Sequence, residues 1–165
     1  MILKPLEQWI CDNCGEVIEA PEHGWLEWLS ETIEPYQQFG FKIVHHQSHS
    51  PRKKYGSCYV YDRWSGPELQ MDNYLDRFVG PNAISVLLAF VDRGRFIDGN
   101  YPGPRVRNLR EWAEIVRRLT IPYYEEARLY LGEARYDEQI EGLDADALYA
   151  PDTLKGVVKR HRDRI

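Results

Sequence analysis

Two cysteines three positions apart, in the run Trp9-Ile10-Cys11-Asp12-Asn13-Cys14-Gly15, constrain this chain more than any other feature. Their spacing is that of one half of a tetrahedral zinc site. Cys11 ends a short strand, and Asp12 and Asn13 make a tight turn whose amides can face the sulfurs. Gly15 gives the backbone freedom to turn back. The flanking segments Gln8–Cys11 and Glu16–Glu19 then read as a hairpin.

A zinc ion needs four ligands, and this turn supplies two. The remaining candidates are His23, His45, His46, His49, Cys58 and the carboxylates. Cys58 is the only other cysteine in the chain. It opens a candidate strand, Ser57–Tyr61, expected to pair with Phe41–His46 and so to lie near His45 and His46. Adjacent strand residues point to opposite faces. His45 shares a face with Phe41 and Ile43 and is expected in the core, which leaves His46 as the ligand. The expected set is therefore Cys11, Cys14, His46 and Cys58 around a structural Zn2+. A second set, Cys11, Cys14, His46 and His49, repeats the same spacing in His46-x-x-His49 and leaves Cys58 free. Thiolates are the softer zinc ligands, which favours the first set.

Trp9, Cys11, Cys14 and Gly15 resemble the knuckle of a zinc ribbon, the rubredoxin-like family, over about the first third of the chain. The usual second Cys-x-x-Cys is replaced here by the histidine cluster and Cys58. Zinc ribbons bind nucleic acid, bind proteins or staple a fold, so the resemblance alone does not choose a function.

The rest of the chain is organised by a change of period. Gly24–Leu29, with Trp25 and Trp28, fits a strand or a helix. Phe41–His46 reads as a strand, and Gln47–Gly56 as a loop. From Gly66 the pattern is helical. Met71, Tyr74, Leu75 and Phe78 form one face, and Ile84, Leu87, Leu88 and Val91 form the inward face of a second helix. Asn108 and Glu111 form a capping box ahead of a helix burying Leu109, Trp112, Ala113, Val116 and Leu119. Another helix carries Tyr124, Ala127, Leu131 and Ala134, and a last one from Pro151 carries Leu154, Val157 and Val158. The predicted fold class is α+β: an antiparallel β module holding zinc over residues 1–65, packed on a helical domain over 66–165.

Composition narrows the function classes. A hydrophobic fraction of 43% supports a real core. A net charge of −5 works against bulk attraction to nucleic acid or anionic membrane. Three cysteines, two at ligand spacing, suit a reducing compartment. No secretory signal or membrane-length apolar run is evident, so a cytoplasmic protein is expected.

Three functions follow as expectations. The first is a non-enzymatic, zinc-stabilised protein that binds a protein partner or a second copy of itself. The second is nucleic-acid binding through the loop beside the zinc, with Arg52, Lys53, Lys54 and Tyr55 as contacts. Against it, Arg105, Arg107, Arg110, Arg117 and Arg118 read as a solvated face, with Glu114 and Arg118 as an ordinary helix ion pair. The third is a zinc hydrolase using the histidine cluster. Three thiolates make zinc a poor Lewis acid, and no His-Glu-x-x-His run is present, so no catalytic residue is assigned. The Gly/Pro-rich loop 95–104 is read as a covering loop or a partner contact.

Overall fold

The structure is a computed structural model that describes residues 2–52, 57–97, 104–134 and 140–162. Around the cysteine turn, Trp9–Ile10 (β1) and Val17–Ile18 (β2) pair antiparallel, with Trp9 opposite Ile18. The ambiguous aromatic run is a strand, Gly24–Ser30 (β3). It lies at the centre of a three-stranded antiparallel sheet of order β4-β3-β5, between Gln38–His45 (β4) and Leu69–Tyr74 (β5). A central strand buries side chains on both faces, so its apolar residues lose the simple alternation that would mark it as a strand.

β5 corrects the helical expectation for the stretch after Gly66. Leu69–Tyr74 pairs along β3 from Trp25↔Tyr74 to Ser30↔Leu69, and only Leu75–Phe78 winds into a 3-10 turn. Leu75 and Phe78 are buried as expected, but Met71 and Tyr74 are exposed on an edge strand. The sheet therefore takes its third strand from beyond residue 65.

Ser57–Tyr61 forms no strand. It is held instead to side chains and carbonyls of the sheet it covers: Val60 N donates to Glu27 Oε2 at 2.9 Å, and the Tyr61 hydroxyl donates to the Gly40 carbonyl. Tyr59 stacks on Trp25 with ring centroids 4.8 Å apart. Gly40 has φ +72° and sits where the β3–β4 register shifts, at a bulge. A Cβ there would collide with the Tyr61 hydroxyl.

The helices are Ala83–Val91 (α1), Leu109–Thr120 (α2), the single turns Tyr124–Ala127 (α3), Leu131–Ala134 (α4) and Ala145–Leu148 (α5), and Pro151–Arg162 (α6). Asn108 Oδ1 accepts the amides of Arg110 and Glu111, as an N-cap should. Glu111 does not complete the capping box, because its carboxylate accepts the Phe41 amide of β4 at 2.8 Å. α2 buries Trp112, Ile115 and Leu119 but leaves Leu109 exposed. α1 buries Ala83 and Leu87, whereas Ile84 and Leu88, expected inward, face out.

The main core joins the sheet, the cysteine hairpin, α1 and α2 through Trp9, Leu26, Ile43, Phe78 and Trp112. A second cluster of Tyr124, Ala127, Ile140, Leu154, Val157 and Val158 holds α6 against α3. The fold class is α+β. Among the described residues, no helix is long and apolar enough to cross a membrane.

Candidate metal centre

The cysteine hairpin docks on the end of β4 through its own turn. Asp12 N donates to the Ile43 carbonyl at 2.8 Å, and Ile43 N donates back to Asp12 Oδ2 at 2.7 Å. Within the turn, Gly15 N donates to the Cys11 carbonyl at 2.9 Å, and Gly15 takes a φ of +77° that favours glycine. Docking Asp12 against Ile43 sets the sulfurs beside the residue two further along the same strand face, His45.

Cys58 arrives from the irregular segment on the other side. Asn13 Nδ2 donates to the Cys58 carbonyl at 2.8 Å, and Asn13 Oδ1 accepts from Arg52 Nη1 at 2.9 Å. Ser50 Oγ lies 3.1 Å from Cys58 Sγ. The turn between the first two cysteines thus also positions the third.

Four donor atoms result, from Cys11, Cys14, His45 and Cys58, all within 4.8 Å of one another. A tetrahedral ion held by thiolates and an imidazole has ligand–ligand edges of about 3.6–3.8 Å. The Cys14 Sγ–His45 Nδ1 separation of 3.5 Å is such an edge. The longest separation exceeds that range by only about 1 Å. Cys11, His45 and Cys58 are buried and Cys14 is half-buried. The donor set fits a metal ion.

His45 is prepared for ligation by its outer nitrogen. Nε2 lies 3.1 Å from the Val17 carbonyl, which can only accept, so Nε2 carries the proton. With a metal ion bound, the ring would be neutral and would present its Nδ1 lone pair to the ion, the arrangement that second-shell carbonyls impose on metal-binding histidines.

The histidine gathered with the three cysteines is His45 rather than the expected His46. His45 does share the core face with Phe41 and Ile43 and is buried. That face is the one the cysteine hairpin covers, so being on the core side brings the ring to the sulfurs rather than away from them. His46 begins the 3-10 turn Gln47–His49, with Nδ1 2.6 Å from Ser48 Oγ and its ring stacked on Tyr74 at 5.2 Å. His49 stacks on His23 at 3.8 Å, so the alternative set with His46 and His49 is not assembled. Of the expected nucleic-acid contacts, Arg52 is bonded to Asn13, and Lys53, Lys54 and Tyr55 lie outside the described residues.

The three thiols are unequal. Burial opposes ionisation of Cys11, but hydrogen bonds from His45 and from the Cys14 and Asn13 amides outweigh it and bring the thiol to about 6. Burial and then the neighbouring Cys11 push Cys14 up to about 12, and burial also raises Cys58. Burial opposes a charge on His45 as well, yet the Cys11 sulfur and the Val17 carbonyl raise its pKa. One thiolate forms readily, and a cation bound here would supply the charge that ionises the others.

Behind the turn lies a charge network that sequence reasoning missed. Arg118 of α2 is only 4% exposed. It donates to both Asp12 oxygens at 2.9 Å, to Glu125 at 2.7 and 2.9 Å, and to the Ile10 carbonyl at 3.0 Å. Burial disfavours its charge, but Glu125 and then Asp12 raise its pKa above the ordinary arginine value. Glu125 in turn accepts the Ile10 amide at 2.9 Å, and Trp9 Nε1 donates to the Arg118 carbonyl at 3.0 Å. The expected Glu114–Arg118 pair does not form: Glu114 meets Arg117 at 3.8 Å and the Tyr124 hydroxyl at 2.5 Å. The only sequence signal for the network was an acidic residue inside the cysteine turn.

No family model, curated protein or solved structure matches this chain.

Proposed function

We propose that this chain is a non-enzymatic, zinc-stabilised interaction protein of the reducing cytoplasm, with a zinc-ribbon-like hairpin as its metal pin. The observation that carries the reading is the closed donor set of Cys11, Cys14, His45 and Cys58. Four protein ligands fill a tetrahedron, and structural sites are closed in this way whereas catalytic sites keep a position for water or substrate. Three soft thiolates and one imidazole favour zinc among the common divalent ions. Zinc would fasten three pieces that share little secondary structure: the hairpin, the end of β4 and the segment carrying Cys58.

The surface offered to a partner is the groove between α1 and α2. It holds about 450 Å³ and is walled by Ile84, Leu88, Leu109 and Trp112. Ile84, Leu88 and Leu109 are each more than half exposed. Arg117 lines the groove and the exposed Arg110 precedes it by two helical turns. Apolar walls beside cations suit a protein segment with apolar anchors and acidic flanks.

The test separates the pin from the surface. Full-length protein, purified without added metal, should carry one zinc per chain and lose it with its fold on strong chelation. Leu88→Asp should keep the zinc and the fold and abolish cross-linking of a partner to α1. A chain that stays folded and fully cooperative without metal refutes the pin. A Leu88→Asp protein that cross-links as the wild type does refutes the surface. If the cross-linked species is this chain itself, the partner is a second copy.

A further inference from the structure

On the other side of α1 a second cavity lies between that helix and the sheet. We propose that it binds a small organic anion: a carboxylate or phosphate ester carried on an apolar, ring-sized body. It holds about 400 Å³, a size typical of metabolite pockets.

Two residues of its lining carry a buried polar atom that has no partner among the described residues. Gln38 is 8% exposed and Trp28 is 6% exposed. Gln38 Oε1 and Trp28 Nε1 are nevertheless buried without a hydrogen bond. Buried polar groups are normally satisfied, so two residues of this lining carry an acceptor and a donor that a ligand reaching them would satisfy. Both come from regular strands, β4 and β3, so their positions are set by the sheet.

The cavity also gathers two cations. Arg77 and Arg105 line it, and among the described residues neither side chain has an acidic partner or a hydrogen bond. Arg105 is fixed at the rim by its backbone: its carbonyl accepts Gln38 N at 2.7 Å, and its amide donates to the Val91 carbonyl at 3.0 Å. In a chain of net charge −5, two unpaired guanidinium groups at one cavity mark the place for an anion. Part of the remaining wall is aromatic, with Trp28 edge-on to Phe90 at 5.1 Å and to Phe78 at 6.3 Å, and Met71, Asn73 and Ser85 line it too. The anionic group would meet the arginines, the ring would lie against Phe78 and Phe90, and a polar substituent would pair with Gln38 and Trp28. None of these residues belongs to the metal centre or the α1–α2 groove, apart from the helix the two cavities share.

The test uses calorimetric titration of zinc-loaded, full-length protein with four probes. These are naphthalene-1-carboxylate, its neutral amide naphthalene-1-carboxamide, adenosine 5′-monophosphate and inorganic phosphate. One or both organic anions should bind with one site per chain, and the neutral amide at least roughly tenfold more weakly. The double substitution Arg77→Gln, Arg105→Gln should weaken the anion by roughly tenfold or more, and Gln38→Met severalfold, with the thermal midpoint unchanged. Leu88→Ser, in the separate groove, should leave the titration as it is. Arg77→Lys, Arg105→Lys keeps the charge and should retain part of the affinity, which guards against a folding defect. The proposal is overturned if neither organic anion binds, if the anion and its amide bind alike, or if the arginine variants bind like the wild type. Inorganic phosphate binding as tightly as the nucleotide would also overturn it, by leaving no role for the aromatic wall.

Discussion

Replacing Arg118 with methionine removes the cation that joins the cysteine turn to the helices. Its guanidinium makes five hydrogen bonds shorter than 3.1 Å, to Asp12, Glu125 and the Ile10 carbonyl. Its loss leaves Asp12, whose side chain is 18% exposed, and Glu125, 7% exposed, as carboxylates without their main partner. Removing one member of a buried ion pair typically costs 3–5 kcal/mol, because the remaining charge is stranded. Arg128 still reaches Glu125 at 3.0 Å, which places this site at about 3 kcal/mol, the lower end. The triple variant Arg118→Met, Asp12→Asn, Glu125→Gln removes the stranded charges while keeping acceptors for the Ile43 and Ile10 amides. It should recover about half or more of the loss, since uncharged replacements of whole buried networks are often near neutral. Urea unfolding followed by far-ultraviolet circular dichroism, at fixed excess zinc, measures all three proteins. An Arg118→Met variant within about 1 kcal/mol of wild type, or a triple variant no better than the single one, would refute this account of the turn.

Other outcomes follow from single groups. Glu27 is buried between Lys42 and Asp72 in the sheet, and burial raises its carboxyl from 4.5 to about 7. A raised carboxyl means the folded state binds the proton more tightly, so its contribution is full below the unfolded value and is lost as pH rises towards 7. Glu27→Gln should therefore gain about 1–3 kcal/mol relative to wild type between acid and mildly alkaline pH, and parallel pH profiles would contradict this. Asn108→Ala removes the cap of α2 and should cost about 1 kcal/mol in the same urea assay, while an unchanged midpoint would deny the cap its role. Leu154→Ala empties a fully buried position of the second cluster and should cost about 2–5 kcal/mol without changing metal content. Metal loss in that variant would mean the two cores are not separable.

Much of the fold could be read ahead of the structure where one local signal dominates. The hairpin of Trp9 and Ile18, the Asn108 cap and the Leu154, Val157, Val158 face of α6 each depend on neighbours in sequence. β5 could not, because the alternation of Leu69-Gln70-Met71-Asp72 breaks at Asn73 while Met71, Tyr74, Leu75 and Phe78 also fit a helical face, and pairing with β3 decides between them. Ile84 and Leu88 misled for the opposite reason: their apolar spacing is real, but it faces a groove rather than the core. At the metal centre the three cysteines were legible from residue type and spacing. The histidine was not, because alternation along β4 gives the face of His45 but not what covers that face. Arg118 was hidden among helix-surface arginines, since its partners Asp12 and Glu125 lie on other elements.

The proposed closed zinc site is built from Cys11, Cys14, His45 and Cys58. Zinc-edge X-ray absorption on the full chain, alongside metal analysis of the His45→Ala and His46→Ala variants, tests it most directly. One zinc per chain is expected in a shell of three sulfurs and one nitrogen, unchanged by His46→Ala and broken by His45→Ala. Absence of metal, a water oxygen in the shell, or loss of the nitrogen in His46→Ala would contradict it.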